Sequence, residues 1–224
     1  MTLTAEHAAT ARNFMVDSQV RPNKVYDPRL LAAMRSLPRE KFLPPDLAAR
    51  AYADEDVALG AGRCLIEPMV IARMVEAAAI RAGQRVLVVA AGPGYGAALL
   101  AACGAQVTAV EDDPALLALA RATLPEFAPG VALVESPPAQ GHPAGAPYDL
   151  IFIEGAVEVI PPALIGQLAP MGRLIAIRGS AAGASRGGQA VMGEPVAGHW
   201  SLQPLFDCAV PLLPGLRAAA GFVF

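Results

Sequence analysis

The stretch Arg85-Val-Leu-Val-Val-Ala-Ala-Gly-Pro-Gly-Tyr-Gly-Ala-Ala-Leu-Leu100 constrains the fold more than any other part of the chain. Val86 to Val89 are all apolar, which predicts a strand covered on both faces. Gly92, Gly94 and Gly96 let the backbone turn tightly and approach a ligand closely, and Ala97 to Ala102 continues as a helix. A strand feeding a glycine turn and a helix start presents unpaired N–H groups and the positive end of a dipole, where nucleotide-like ligands settle. A second apolar strand, Gln106 to Val110, ends in Glu111, placed to accept hydrogen bonds from ribose hydroxyls. Asp113 and Pro114 then cap and start the next helix. The plainer reading makes the glycines a packing device and Glu111-Asp112-Asp113 a solvated helix start; the compatible spacing of turn and acid favours a ligand site. No charge falls between Arg85 and Glu111, yet Gly92-Pro93-Gly94 would break a membrane-spanning helix.

Around this centre the chain alternates. Ala5 to Val16 reads as a first helix, followed by a loop through Gln19 to Asn23 because Pro22 opposes helix before it. Asp27-Pro28 starts a second helix with Leu30, Leu31, Met34 and Leu37 on one face. Pro38 to Pro45 reads as a compact loop, Asp46 to Ala51 as a short helix, and Leu59 to Glu67 as a loop leading to a helix from Pro68. Further strands are predicted at Val131 to Val134, Leu150 to Ile153 and Arg173 to Ile177, with a helix starting at Pro161-Pro162. Gly179 to Gly188 reads as a mobile glycine and serine linker. Gln189 to Val196, Leu205 to Leu212 and Gly221 to Phe224 read as antiparallel edge strands. The expectation is an α/β fold: a doubly wound, mostly parallel seven-stranded sheet, Rossmann-like, over residues 68–224. Residues 1–67 form a helical extension and a substrate-side loop, with too little core to stand alone.

Composition removes several classes of function. A net charge of −3, with Lys24 and Lys41 as the lysines among 17 basic residues, offers no basic face for nucleic acid. Although 54% of residues are hydrophobic, the apolar runs are short and punctuated by glycine and proline, so a soluble protein with no membrane partner is expected. Cys64, Cys103 and Cys208 lack zinc or disulfide spacing, and the start lacks the pattern of a signal peptide. No metal site and a cytoplasmic location are the expectations.

Several blocks then carry a resemblance. They are Met15 to Arg21, Leu31 to Met34, Pro38 to Pro44, Tyr52-Ala53-Asp54, the glycine turn with Tyr95, Tyr148 to Ile151, Ile160 to Leu164 and Gln167-Leu168. In this order they resemble the protein-L-isoaspartate O-methyltransferases through nearly the whole chain. The resemblance implies a class I methyltransferase fold, S-adenosylmethionine as cofactor, and methyl transfer to the free carboxylate of isoaspartyl residues in damaged protein or peptide. It carries cofactor positions onto Gly92, Gly94, Tyr95, Glu111, Asp112 and Ser136. A carboxylate is already a nucleophile near neutral pH, so such a transfer needs alignment rather than a general base.

Three departures stand out. The family's loop threonine, isoleucine and serine correspond to Cys64, Leu65 and Ile66, so the hydroxyl that orients the substrate carboxylate is absent. The acidic residue of the first strand is replaced where Val88 and Ala90 stand, which removes an anchor for the cofactor's methionine end. The acid expected after the third strand falls on Ser136-Pro137, with Glu135 adjacent. The catalytic candidates are therefore Arg63, Cys64 and Ile66. Arg63 stands at the family's glutamine, where a guanidinium can grip a substrate carboxylate; the plainer reading pairs it with Glu67 or with Asp54-Glu55-Asp56. Cys64 is either a reactive thiol or, more commonly, a buried structural one. Two rival functions remain: a dehydrogenase, disfavoured by the lack of a tyrosine with a lysine four residues later, and a methyltransferase-like scaffold that binds without turnover.

Overall fold

The computed structural model describes residues 4–179, 187–196 and 199–217. At its centre is a seven-stranded sheet of order β5-β4-β3-β6-β7-β8-β9. These are β3 (Arg85–Val89), β4 (Gln106–Glu111), β5 (Ala132–Glu135), β6 (Tyr148–Val157), β7 (Leu168–Gly179), β8 (Gly188–Val196) and β9 (His199–Cys208). The first five pair in parallel, and β8 and β9 close the edge antiparallel. The mostly parallel, doubly wound expectation thus holds. Along β3, Val86 and Val88 face one hydrophobic cluster and Leu87 and Val89 the other, as the two-residue repeat of a strand covered on both faces requires.

Strand order reverses between β3 and β6. Their carboxyl ends diverge there, and α/β sheets bind ligands in that crevice. The glycine turn leaves β3 at this point and starts α4 (Tyr95–Ala102), with Gly94 as its left-handed N-cap. Gly94 has φ +93, and a Cβ on it would stand 2.8 Å from Leu124 on α5 (Pro114–Phe127). Both the conformation and the close approach require glycine.

The N-terminal part, α1 (Ala5–Met15), α2 (Pro28–Ser36) and α3 (Pro68–Ala78), packs its apolar stripe into the same cluster as Val86 and Val88. Here the structure corrects several local readings. Val16–Val20 is a π-helical turn and Arg21–Asn23 a 3-10 turn, so the segment read as a loop stays helical. Pro22 is tolerated because it lies in the first turn of the 3-10 segment, where its missing N–H breaks no bond. The short helix read over Asp46 to Ala51 is a 3-10 turn at Ala48–Arg50, and Arg39–Phe42 forms another.

The loop read over Leu59 to Glu67 is a hairpin, β1 (Val57–Gly60) and β2 (Arg63–Leu65). Its two-residue turn, Ala61-Gly62, has φ of 47° and 73°, the doubly left-handed geometry that matches strand twist. The helix after Pro161 is α6, only Pro162–Ile165, and β6 and β7 run several residues beyond the apolar runs that marked them. The edge strand read over Leu205 to Leu212 is β9, shifted towards the N-terminus to His199–Cys208. Pro204 is accommodated in it because β9 is the sheet edge, where a missing donor is harmless. The strand read at Gly221 to Phe224 and most of the linker read at Gly179 to Gly188 lie outside the described residues, apart from Gly179 in β7, Gly187, and Gly188 in β8.

Candidate functional site

The hairpin turns Arg63 inwards. Its side chain is 8% exposed, and it meets Glu111, fully buried at the carboxyl end of β4. Nη1 donates to Glu111 Oε1 at 2.7 Å and Nη2 to Oε2 at 2.6 Å, the fork-to-fork arrangement of a strong ion pair. Nη2 also donates to the Ala90 carbonyl at 2.7 Å. Glu111 accepts three backbone N–H bonds besides, from Gly92 at 2.7 Å and from Asp112 and Asp113 at 3.0 Å. Five donors therefore hold one carboxylate, and they tie the glycine turn, the start of α5 and the hairpin together.

Ala90, at the head of the turn, has φ +57. A non-glycine residue there costs about 1–2 kcal/mol, and the Arg63 bond to its carbonyl helps hold the conformation. Beside this cluster lies a cavity of about 300 Å³ lined by residues that include Ala61, Arg63, Asp112, Asp113, Pro138 and Leu213. Burial first, and then the charge of Glu111, pushes the Asp112 carboxyl above its usual value. The hydrogen bonds thus join the glycine turn, Glu111 and the hairpin, with Arg63 between them, and Arg63 also lines the cavity.

The other sequence candidates are dispersed by function. Ile66 is 3% exposed and packs in the core, while its carbonyl accepts a 2.5 Å bond from Arg39. Cys64 is half-buried, and burial raises its thiol above the ordinary range, which opposes a thiolate nucleophile. The Ser136 hydroxyl donates to the Gly141 carbonyl at 2.7 Å. The Tyr95 ring is buried edge-on against Phe42, with the Arg39 guanidinium 4.8 Å above it. The ion pair read for Arg63 with Glu67 or with the 54–56 cluster is replaced by the one with Glu111, because the hairpin points the side chain into the molecule.

Two residues near this crevice were not singled out in the sequence. Arg39 is fully buried, and its Nε donates to Ala51 O at 2.7 Å. Nothing in Pro38-Arg39-Glu40-Lys41 distinguishes it from an exposed charged loop. Glu154 follows Leu150 to Ile153 at the carboxyl end of the parallel pairing of β6 with β3, the same station that Glu111 holds on β4. An acid directly after a buried apolar run was the signal available for Glu154, as it was for Glu111.

Burial pushes the Glu154 carboxyl up to about 8. Arg63, Arg39 and the Ala97 N–H oppose that rise, and Glu111 adds to it. The folded form therefore holds a proton that the unfolded chain releases above its ordinary value of 4.5. Its contribution to stability is largest below that value and is lost as pH rises towards 8. Glu154→Gln is expected to match the unaltered protein in thermal stability at pH 5 and to exceed it at pH 8.5, by on the order of a few kcal/mol. Thermal denaturation across that range checks this; parallel curves would show that Glu154 does not titrate there.

Comparison with known proteins follows the same line. The sequence pattern of the family described as "Protein-L-isoaspartate(D-aspartate) O-methyltransferase (PCMT)" matches residues 11–182. A protein-L-isoaspartate O-methyltransferase of Methylorubrum extorquens (strain PA1) is 44% identical over 167 residues, covering 75% of this chain and 73% of that one. One from Methanoculleus marisnigri is 39% identical over 175 residues, covering 78% and 80%. Among solved structures, a protein-L-isoaspartate O-methyltransferase superposes with a TM-score of 0.77 at 22% identity, covering 93% of this chain and 67% of that one. A Plasmodium falciparum protein described as of the same kind, solved with S-adenosyl-L-homocysteine, superposes at 0.74 and 16% identity, covering 91% and 98%. These two support the Rossmann-like methyltransferase fold. By the family pattern and the identity of its relatives, this chain belongs to the protein-L-isoaspartate(D-aspartate) O-methyltransferase family.

Proposed function

We propose that this protein transfers a methyl group from S-adenosylmethionine to the free carboxylate of isoaspartyl residues in damaged protein or peptide. Family membership and the position of Glu111 support the reading. The residues present fit such a cofactor. Gly92 and Gly94 place no side chain in the turn, and Glu111 stands at the end of the adjacent strand, where a ribose diol is held in this kind of fold. The cavity beside Asp112 gives further room. Bound there, S-adenosylmethionine supplies a methyl group activated on a sulfonium.

In this reading Glu111 holds the ribose hydroxyls, and Gly92, Gly94, Tyr95, Asp112 and Ser136 shape the rest of the cofactor site through backbone and lining contacts. Residues 68–224 carry the cofactor, and residues 1–67 carry the substrate side through the hairpin. The acceptor carboxylate needs no deprotonation, so the hairpin's task is to orient it. Ile66 has no hydroxyl for that task. Three free cysteines support a reducing compartment, the cytoplasm. Among the described residues, no helix is long and apolar enough to cross a membrane.

One observation favours the second reading, a scaffold that binds without turnover: Arg63 already occupies Glu111. A methyl-transfer assay with an isoaspartyl peptide, its aspartyl counterpart and calorimetry with S-adenosylhomocysteine separates the two. The expected outcome is transfer to the isoaspartyl peptide alone, slower by on the order of a hundredfold than in relatives with the loop serine. Binding of S-adenosylhomocysteine without turnover would support the second reading, a scaffold that binds protein or a small ligand, and no binding at all would remove the first.

A further inference from the structure

Glu154 has a carboxylate in a place where the fold does little to satisfy it. Its Oε1 is sealed from solvent and has no hydrogen-bond partner among the described residues. The residue as a whole retains some exposure, so the side chain is not closed off on every side. It lies against the start of α4: an added Cβ on Gly96 would stand 2.1 Å from Oε1, so glycine at that position is what makes room for the carboxylate. The Ala97 N–H, in the first turn of α4, favours its charged form. Of the two nearby cations, Arg63 is bound bidentately by Glu111. Arg39 donates to the Ala51 and Ile66 carbonyls, keeps a buried Nη1 without a hydrogen-bond partner among the described residues, and makes no hydrogen bond to Glu154.

A buried acceptor with no partner costs about 1–3 kcal/mol, and strain of that kind collects at ligand sites. This one stands at the switch point between β3 and β6, beside the glycine turn, and Val88 leaves the adjacent strand without an acid of its own. The group that would complete it is a cation with N–H donors, small enough to enter beside a helix start.

Resting on the cofactor reading above, we propose that Glu154 is the residue that binds the α-ammonium group of the cofactor's amino-acid tail. The acid for that end of the ligand thus comes from β6 rather than from β3. Because the free carboxyl is mostly protonated at neutral pH, pairing with an ammonium ionises it, and a proton leaves to the buffer. Arg63, Arg39 and Glu111 are the other charges facing it.

The test is calorimetry on the full chain with two probes, S-adenosylhomocysteine and 5′-methylthioadenosine, which shares the nucleoside and the thioether but has no amino-acid tail. Titrations at pH 7 in two buffers of different ionisation heat count the protons exchanged. Glu154→Gln is expected to weaken S-adenosylhomocysteine by at least about tenfold, to leave methylthioadenosine unchanged and to abolish a proton release seen in the unaltered protein. Gly96→Ala, which pushes the carboxylate out, should reproduce the tail-selective loss. Equal loss for both probes, unchanged affinity for S-adenosylhomocysteine, or proton release that persists in Glu154→Gln would each overturn the proposal. If the unaltered protein binds methylthioadenosine with no gain from the tail, the proposal fails while the cofactor reading stands. If it binds neither probe, the cofactor reading fails and takes the proposal with it.

Discussion

Glu111→Ala is expected to lower stability by about 3–5 kcal/mol, the usual result of removing one partner from a buried ion pair. The mechanism is specific to this cluster. Arg63, at 8% exposure, would keep only the Ala90 carbonyl, and the N–H groups of Gly92, Asp112 and Asp113 would lose their shared acceptor. For a domain of this size the melting temperature should fall by roughly 10 °C. Thermal denaturation followed by circular dichroism measures it, and a change under about 1 kcal/mol would mean that the five bonds to Glu111 contribute little net stability. The same variant should lose binding of S-adenosylhomocysteine, because the acceptor proposed for the ribose is gone.

Arg63→Gln is expected to act in the opposite sense on binding. Glu111 keeps its three backbone donors in this variant, so a smaller part of the cluster is lost, while the side of the carboxylate that Arg63 covers becomes open to a ligand. A ribose diol in the unaltered protein must displace a bidentate guanidinium, and charge-assisted hydrogen bonds are worth about 1.5–3 kcal/mol each. Affinity for S-adenosylhomocysteine should therefore rise by on the order of tenfold or more, measured by calorimetry at fixed pH and salt. A fall in affinity would show that Arg63 helps to hold the ligand. That outcome would give its guanidinium a ligand-gripping role, as the sequence reading gave it for a substrate carboxylate.

The sheet was legible because its signals are local and repeated. Val86 to Val89, Gln106 to Val110 and Leu150 to Ile153 are wholly or largely apolar runs followed by a glycine turn or an acid, and a strand buried on both faces needs little else. The glycine turn was legible for the same reason, since Gly94, left-handed and pressed against Leu124, has no room for a Cβ, and Gly92 lies in the left-handed region that favours glycine. Boundaries were less so. The π-helical and 3-10 turns through Asn23, the hairpin at Val57–Leu65 and the shifted β9 each depend on what packs against them rather than on propensity.

The amino-acid sequence alone determined the fold class and pointed to the glycine turn, Glu111 and Arg63 as candidates, because periodicity, turn chemistry and the order of strands and helices are written in neighbouring positions. Tertiary structure decided the state of those residues. Arg63 and Glu111 are 48 positions apart, and only the hairpin's direction decides that Arg63 reaches Glu111 rather than the nearby acids at 54–56 or 67. Arg39 and Glu154 read as a loop charge and a strand end; burial turned one into a fully enclosed guanidinium and the other into a carboxylate with an unpartnered oxygen. Ion-pair choice and desolvation depend on distances in space and on what excludes water, and no spacing along the chain encodes either.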